Sequence, residues 1–98
     1  MKDYILLMHD DGRQGAETDA QWEAYFDALH ARGAFQGGSA IGNGVSMRKE
    51  GVPRPPCLHL TGYIRVTAAD LESARELVVG NPVYEAGGTV EVRDLPED

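Results

Sequence analysis

Apolar and polar positions along the chain fall into short blocks whose period changes several times. Tyr4-Ile5-Leu6-Leu7-Met8 is a continuous apolar run that ends at His9-Asp10-Asp11-Gly12. Five apolar residues are too few for an ordinary helix, and Asp-Asp-Gly is turn chemistry. The run predicts a strand buried on both faces, hence a central one in a small sheet. Thr18-Asp19-Ala20-Gln21 then has the form of a capping box, with Gln21 reaching back to Thr18. Behind it Trp22, Tyr25, Phe26 and Leu29 keep the spacing of one helix face, and Gly33 stands where a left-handed cap belongs. The pattern predicts an amphipathic helix over 19–32.

Phe35 opens an extended stretch that Gly37-Gly38 is expected to break, and Val45-Ser46-Met47-Arg48 alternates as a strand. Lys49 to Pro56, with Pro53, Pro55 and Pro56, reads as a loop of polyproline character. From Leu58 to Val66 the alternation is regular. Leu58, Leu60, Gly62, Ile64 and Val66 share one face; His59, Thr61, Tyr63 and Arg65 share the other. Thr67 with Asp70 predicts the cap of a second helix, striped by Leu71, Ala74, Leu77 and Val78 and stopped by Gly80-Asn81-Pro82. Thr89 to Arg93 alternates as a final strand after the Gly87-Gly88 turn, and Leu95 to Asp98 is expected to form a frayed acidic tail.

The order is strand, helix, strand, strand, helix, strand. Two right-handed split crossovers then give an α+β, ferredoxin-like βαββαβ domain spanning 1–98, a four-stranded antiparallel sheet with both helices on one face. The other face is left bare. It is expected to carry His59, Thr61, Tyr63, Arg65, Thr89, Glu91 and Arg93, plus one register of the first strand. Either register puts large apolar side chains there, which a second copy packing sheet to sheet would bury. A homodimer is the expected partner state.

Charge sharpens this picture. The chain has 98 residues and a net charge of −7. That total is made of −5 over residues 1–31, +4 over 32–66 and −6 over 67–98. An acidic balance argues against nucleic acid and against anionic membranes as partners. The basic, glycine-rich middle is either a solvated loop or a strip lying against an acidic surface of a second copy. Cys57 is the sole cysteine, so no internal disulfide forms. With no long apolar run and no signal-peptide pattern, a cytoplasmic protein is expected.

Candidate chemistry collects at one rim of the inferred sheet. The first and third strands are antiparallel neighbours, so His9 and Asp10 at the end of one approach His59 at the start of the other. A histidine beside a carboxylate is a serviceable general base, because the carboxylate fixes the tautomer and raises basicity. Arg65 or Arg93 offers a forked donor for a carboxylate or enolate oxygen, and Tyr63 one more hydrogen bond. Each residue also has a plainer role: His59 as a half-exposed strand residue, His9-Asp10 as a strand-ending turn, Arg65 as a partner of Glu91. No tight ligand spacing supports a metal, and no phosphate loop, nucleophile elbow or dinucleotide fingerprint is present, so no cofactor is expected.

The opening Met1 to Met8 with an acid just past the strand, and the closing Asn81 to Arg93 (NPVYEAGGTVEVR), resemble the YCII-related family. Gly37-Gly38-Ser39 and Gly62-Tyr63-Ile64-Arg65-Val66 fall where that family has them. The resemblance covers nearly the whole chain and implies a ferredoxin-like subunit that pairs into a dimeric α+β barrel. A better-understood branch is similar to small enzymes that act on ring or carbonyl substrates with a histidine and an aspartate. The family's helix histidine falls at Trp22 here, and its aspartate at Ala31 or Arg32; only Asp10 is kept. Pro53 to Cys57 takes the place of the Asp-Gly-Pro-Phe motif of a sister branch. The expectation is a homodimer that binds a small molecule without the usual dyad. Its alternative is a cofactor-free enzyme of elimination or isomerisation with His9 as base.

Overall fold

Why the first apolar run becomes a central strand is visible in the computed structural model, which describes residues 1–97. Strand β1 (Lys2–His9) lies between β3 (Leu60–Ala68) and β4 (Val90–Leu95), and β2 (Phe35–Ala40) pairs with the outer edge of β3. All three pairings are antiparallel, giving the order β2-β3-β1-β4. The chain is an α+β domain with a four-stranded antiparallel sheet, compatible with the ferredoxin-like arrangement. Asp98 lies outside the described residues, so the acidic tail is followed only to Glu97, and Leu95 belongs to β4.

The period-2 side-chain rule divides β1. Tyr4, Leu6 and Met8 are buried beneath the helices, whereas Ile5, Leu7 and His9 are half-buried on the opposite face. Opposite them on that face stand Arg65 and Tyr63 of β3 and Arg93 and Glu91 of β4. Leu6, fully buried against Ile64 and Val66, contributes about 1.5–3 kcal/mol through the area it removes from water.

Helix α1 (Asp19–Ala31) starts at the capping box: Thr18 accepts from the Gln21 amide at 3.2 Å and its own amide donates to the Gln21 side chain at 2.9 Å. It ends in a Schellman turn. Gly33 adopts φ +67°, its amide donates to His30, and the Ala34 amide donates to Leu29. Tyr25 and Leu29 enter the core, with Trp22 and Phe26 packed at its margin.

Several expectations need correction. The strand expected from Leu58 to Val66 starts at Leu60 and runs on to Ala68, which leaves Leu58 exposed. Gly37-Gly38 does not break a strand; both lie within β2, where Gly37 at φ +123° sits at a bulge against β3. Val45 to Arg48 is not a strand, because its alternation finds no partner, and Val45 and Met47 are exposed. Thr67 is drawn into β3 by pairing with Asp3, so the cap of α2 (Leu71–Glu76) is Asp70, which accepts from the Ser73 amide. Leu71, expected in the stripe of that helix, is half exposed while Ala74, Leu77 and Val78 are buried. Asn81-Pro82 stops one helix but also opens another, the single turn α3 (Pro82–Glu85), with Asn81 as its cap and Pro82 at the first position.

Candidate functional site

The feature that builds a site is an absence of side chains. On the helix-facing side of β2 and β3, Gly38 lies across from Ile64 and Ala40 across from Gly62, and α1 passes above them. The result is a cleft of about 660 Å³. Its floor is Gly38, Ala40, Gly62 and Ile64; Trp22, Phe26 and Phe35 form an aromatic wall; Met8 closes the inner end. The aromatic wall is ordered by its own packing, with Trp22 stacked on Phe26 at 5.6 Å and Phe35 edge-on to Phe26 at 5.4 Å.

Neither floor glycine is replaceable without displacement. A Cβ at Gly38 would lie 2.6 Å from the Tyr63 carbonyl oxygen, and one at Gly62 would lie 3.0 Å from Met8 Cε and 3.2 Å from the Ser39 oxygen. The glycines thus let β2 and β3 approach closely and leave the space above them open.

Polar groups gather at the mouth. Asp10, Arg13, Gln14 and Glu17 of the segment after β1 border it, as do His9 at the end of β1 and Ser39, Thr61 and Tyr63 of the neighbouring strands, whose side chains alternate to the opposite, bare face. Glu17 is engaged by the Trp22 indole N–H at 3.1 Å, which fixes the ring's orientation. The segment itself is anchored from below. Asp11 accepts from the Thr89 amide at 2.7 Å and from its hydroxyl at 2.6 Å, and the Arg13 amide donates to the Ala86 carbonyl. The Thr89 hydroxyl, then its amide, hold the Asp11 carboxyl below its usual range. Gly12 and Gly88 let the two backbones touch: a Cβ on Gly12 would lie 3.1 Å from the Gly88 nitrogen.

The rim residues expected from the sequence separate into two pairs. His9 Nε2 lies 2.7 Å from Glu91 Oε1, its diagonal neighbour across β1 and β4, and that contact holds the Glu91 carboxyl below its usual range. His59 precedes β3; its Nδ1 is 3.9 Å from Asp10 Oδ1, and both side chains are exposed. Of the five residues singled out, His9, Asp10 and Tyr63 border the cleft, His9 and Tyr63 with their side chains on the bare sheet face, whereas His59 and Arg65 do not border it. Arg65 stands on the bare sheet face opposite Ile5. Among the described residues no group of three His, Cys, Asp or Glu side chains is placed to hold a metal. No helix of the described residues is long and apolar enough to cross a membrane.

Sequence reasoning missed Glu91 as the partner of His9, Asp11 as the anchor and the glycine floor. A signal existed for the last: Gly38 and Gly62 each interrupt an otherwise regular strand, the usual mark of close backbone approach. No family model matches the chain, and no curated protein matches it either.

Proposed function

We propose that this chain is a YCII-like homodimer that binds a small molecule in the cleft between α1 and the β2–β3 floor. The observation that carries the reading is the cleft itself: an aromatic wall over a glycine floor, bordered by the polar segment that follows β1. Trp22 occupies the position of the family's helix histidine, so an aromatic ring contributes contact area where that family places a proton-transfer group. Ile5 and Leu7, half-buried on the bare sheet face beside Tyr63, support pairing of two copies sheet to sheet. The lone exposed Cys57 fits a reducing, cytoplasmic setting.

The reading is tested by titrating the protein with a panel of small ring and carbonyl compounds while following backbone amide shifts. Saturable shifts clustered at Gly38, Ser39 and Gly62 are expected for at least one compound. Shifts scattered over the surface, or none at millimolar concentration, would sink it. Sedimentation should find a dimer, and Leu7→Arg, which replaces an apolar side chain of the bare face with a long charged one between Tyr63 and Glu91, should yield monomers.

A second reading, proton transfer with His9 as base, is favoured by one contact. Glu91 supplies the tautomer-fixing carboxylate that the sequence assigned to Asp10. It requires that a bound carbonyl compound exchange its α-proton in D₂O, and that His9→Ala abolish the exchange. Binding without exchange leaves the first reading alone.

A further inference from the structure

Between Ile41, whose amide makes the last sheet-like bond to Thr61, and Leu60, the chain leaves the domain as an arm. It contains no helix or strand, and among the described residues no backbone hydrogen bond outside helices and strands involves residues 42–58. Its two limbs run side by side near the tip, where Ser46, Met47 and Arg48 face Pro53 and Arg54, and Gly51 at φ +80° makes the return. The Arg48 side chain donates to the Val52 carbonyl across that turn. The arm explains the shape of the chain. Its radius of gyration is 14.8 Å and its longest extent 47 Å, against on the order of 13 Å for a compact domain of this length.

The composition of the arm does not suit water. Val45, Met47, Val52 and Leu58 are each 79–91% exposed, a run of large apolar side chains that a solvated loop does not need. Arg48, Lys49 and Arg54 against Glu50 give it +2, which leaves −9 for the rest of a chain at −7. The exposed acids Asp19, Glu23 and Asp27 recur at four-residue spacing along α1 and have no ion-pair partner among the described residues. Like charges so spaced disfavour a helix unless a cation covers them.

We infer that the arm is an intersubunit clamp: residues 42–58 of one copy lie on the acidic surface of the second copy, burying Val45, Met47, Val52 and Leu58. The second copy is the occupant because it alone is certain to present the complementary charge wherever the chain is present, and two-fold pairing uses both arms at once. The inference deepens the homodimer reading and rests on it for the existence of the pair, but not for the sheet-to-sheet geometry.

Sedimentation equilibrium on the full chain tests it, comparing wild type, Arg48→Glu/Arg54→Glu and Leu7→Arg. Both arginines are exposed, so their reversal leaves the fold intact, which far-ultraviolet circular dichroism verifies. The arm reversal should weaken dimerisation at least about tenfold. Wild-type dimerisation should weaken as salt rises from about 0.05 M to about 0.5 M, and that of the reversal should not. An arm reversal that dimerises as tightly as wild type overturns the clamp, even if Leu7→Arg yields monomers. Loss of the dimer on arm reversal but not in Leu7→Arg upholds the clamp and removes the sheet-face pairing. A wild type that is monomeric throughout overturns both.

Discussion

Tyr25→Phe isolates one buried hydrogen bond and gives the core its sharpest test. The Tyr25 hydroxyl donates to the Leu77 carbonyl at 2.6 Å, joining α1 to the end of α2 across the core. That carbonyl stands at the helix C-cap, where the last oxygens lack intrahelical donors, and Leu77 is buried. Removing the hydroxyl leaves it unpaired and dry, at a cost of about 1–3 kcal/mol. For a domain of this size each kcal/mol lowers the melting temperature by roughly 4–8 °C. Thermal and urea unfolding should therefore show a fall of at least about 4 °C with an unchanged denaturant slope. The same group has an alkaline signature. Burial holds the phenol above its usual 10, with the Asn81 side chain acting the other way. Below that pH the phenol is neutral in both states. Above it the unfolded chain ionises first, so its contribution to stability falls as pH rises. The gap between wild type and Tyr25→Phe should therefore narrow above pH 10. A variant that melts within about 1 °C of wild type at pH 7, or a gap that widens in alkali, would refute the reasoning.

Other outcomes follow from the anchor and the floor. Gly38→Ala drives a Cβ against the Tyr63 carbonyl, which cannot rotate away, and should destabilise the fold by about 1–3 kcal/mol in urea titration while shifting the Gly62 and Ser39 amides. Asp11→Asn should lower the melting temperature at pH 7. Because the folded carboxyl sits below its usual 3.8, its contribution is present above that pH and lost as pH falls. Melting curves of wild type and variant should thus converge in acid, and a constant offset from pH 7 to pH 2 would contradict the anchor's role.

Elements written by burial were legible in the sequence; those written by a partner were not. The apolar run of β1, the aromatic stripe of α1 and the alternation ending in Val66 each announce the surface they bury, and each formed, the last only from Leu60 onward. Val45 to Arg48 carries the same alternation, yet nothing lies opposite it to bond. Gly37-Gly38 looks like a break when judged by propensity, but a glycine also permits the close approach that β2 and β3 make. Thr67 and Asp70 both suit a helix cap, and only the pairing of β3 with β1 chose between them. The same holds at the rim. His9 was visible as a candidate base, but which carboxylate meets it depends on how β1 and β4 slide past one another. That register put Glu91, not Asp10, beside its ring.

The central place of β1 has a consequence in time. Both edges of this first strand are filled by segments that begin at Leu60 and Val90, so as the chain emerges during synthesis its most apolar stretch waits without a partner while the fifty residues after it are made. Pairings so distant in sequence make folding slow compared with a helical bundle of equal size. A nascent chain stopped before Val90 would keep one flank of β1 open, ready to accept a strand from a neighbouring molecule.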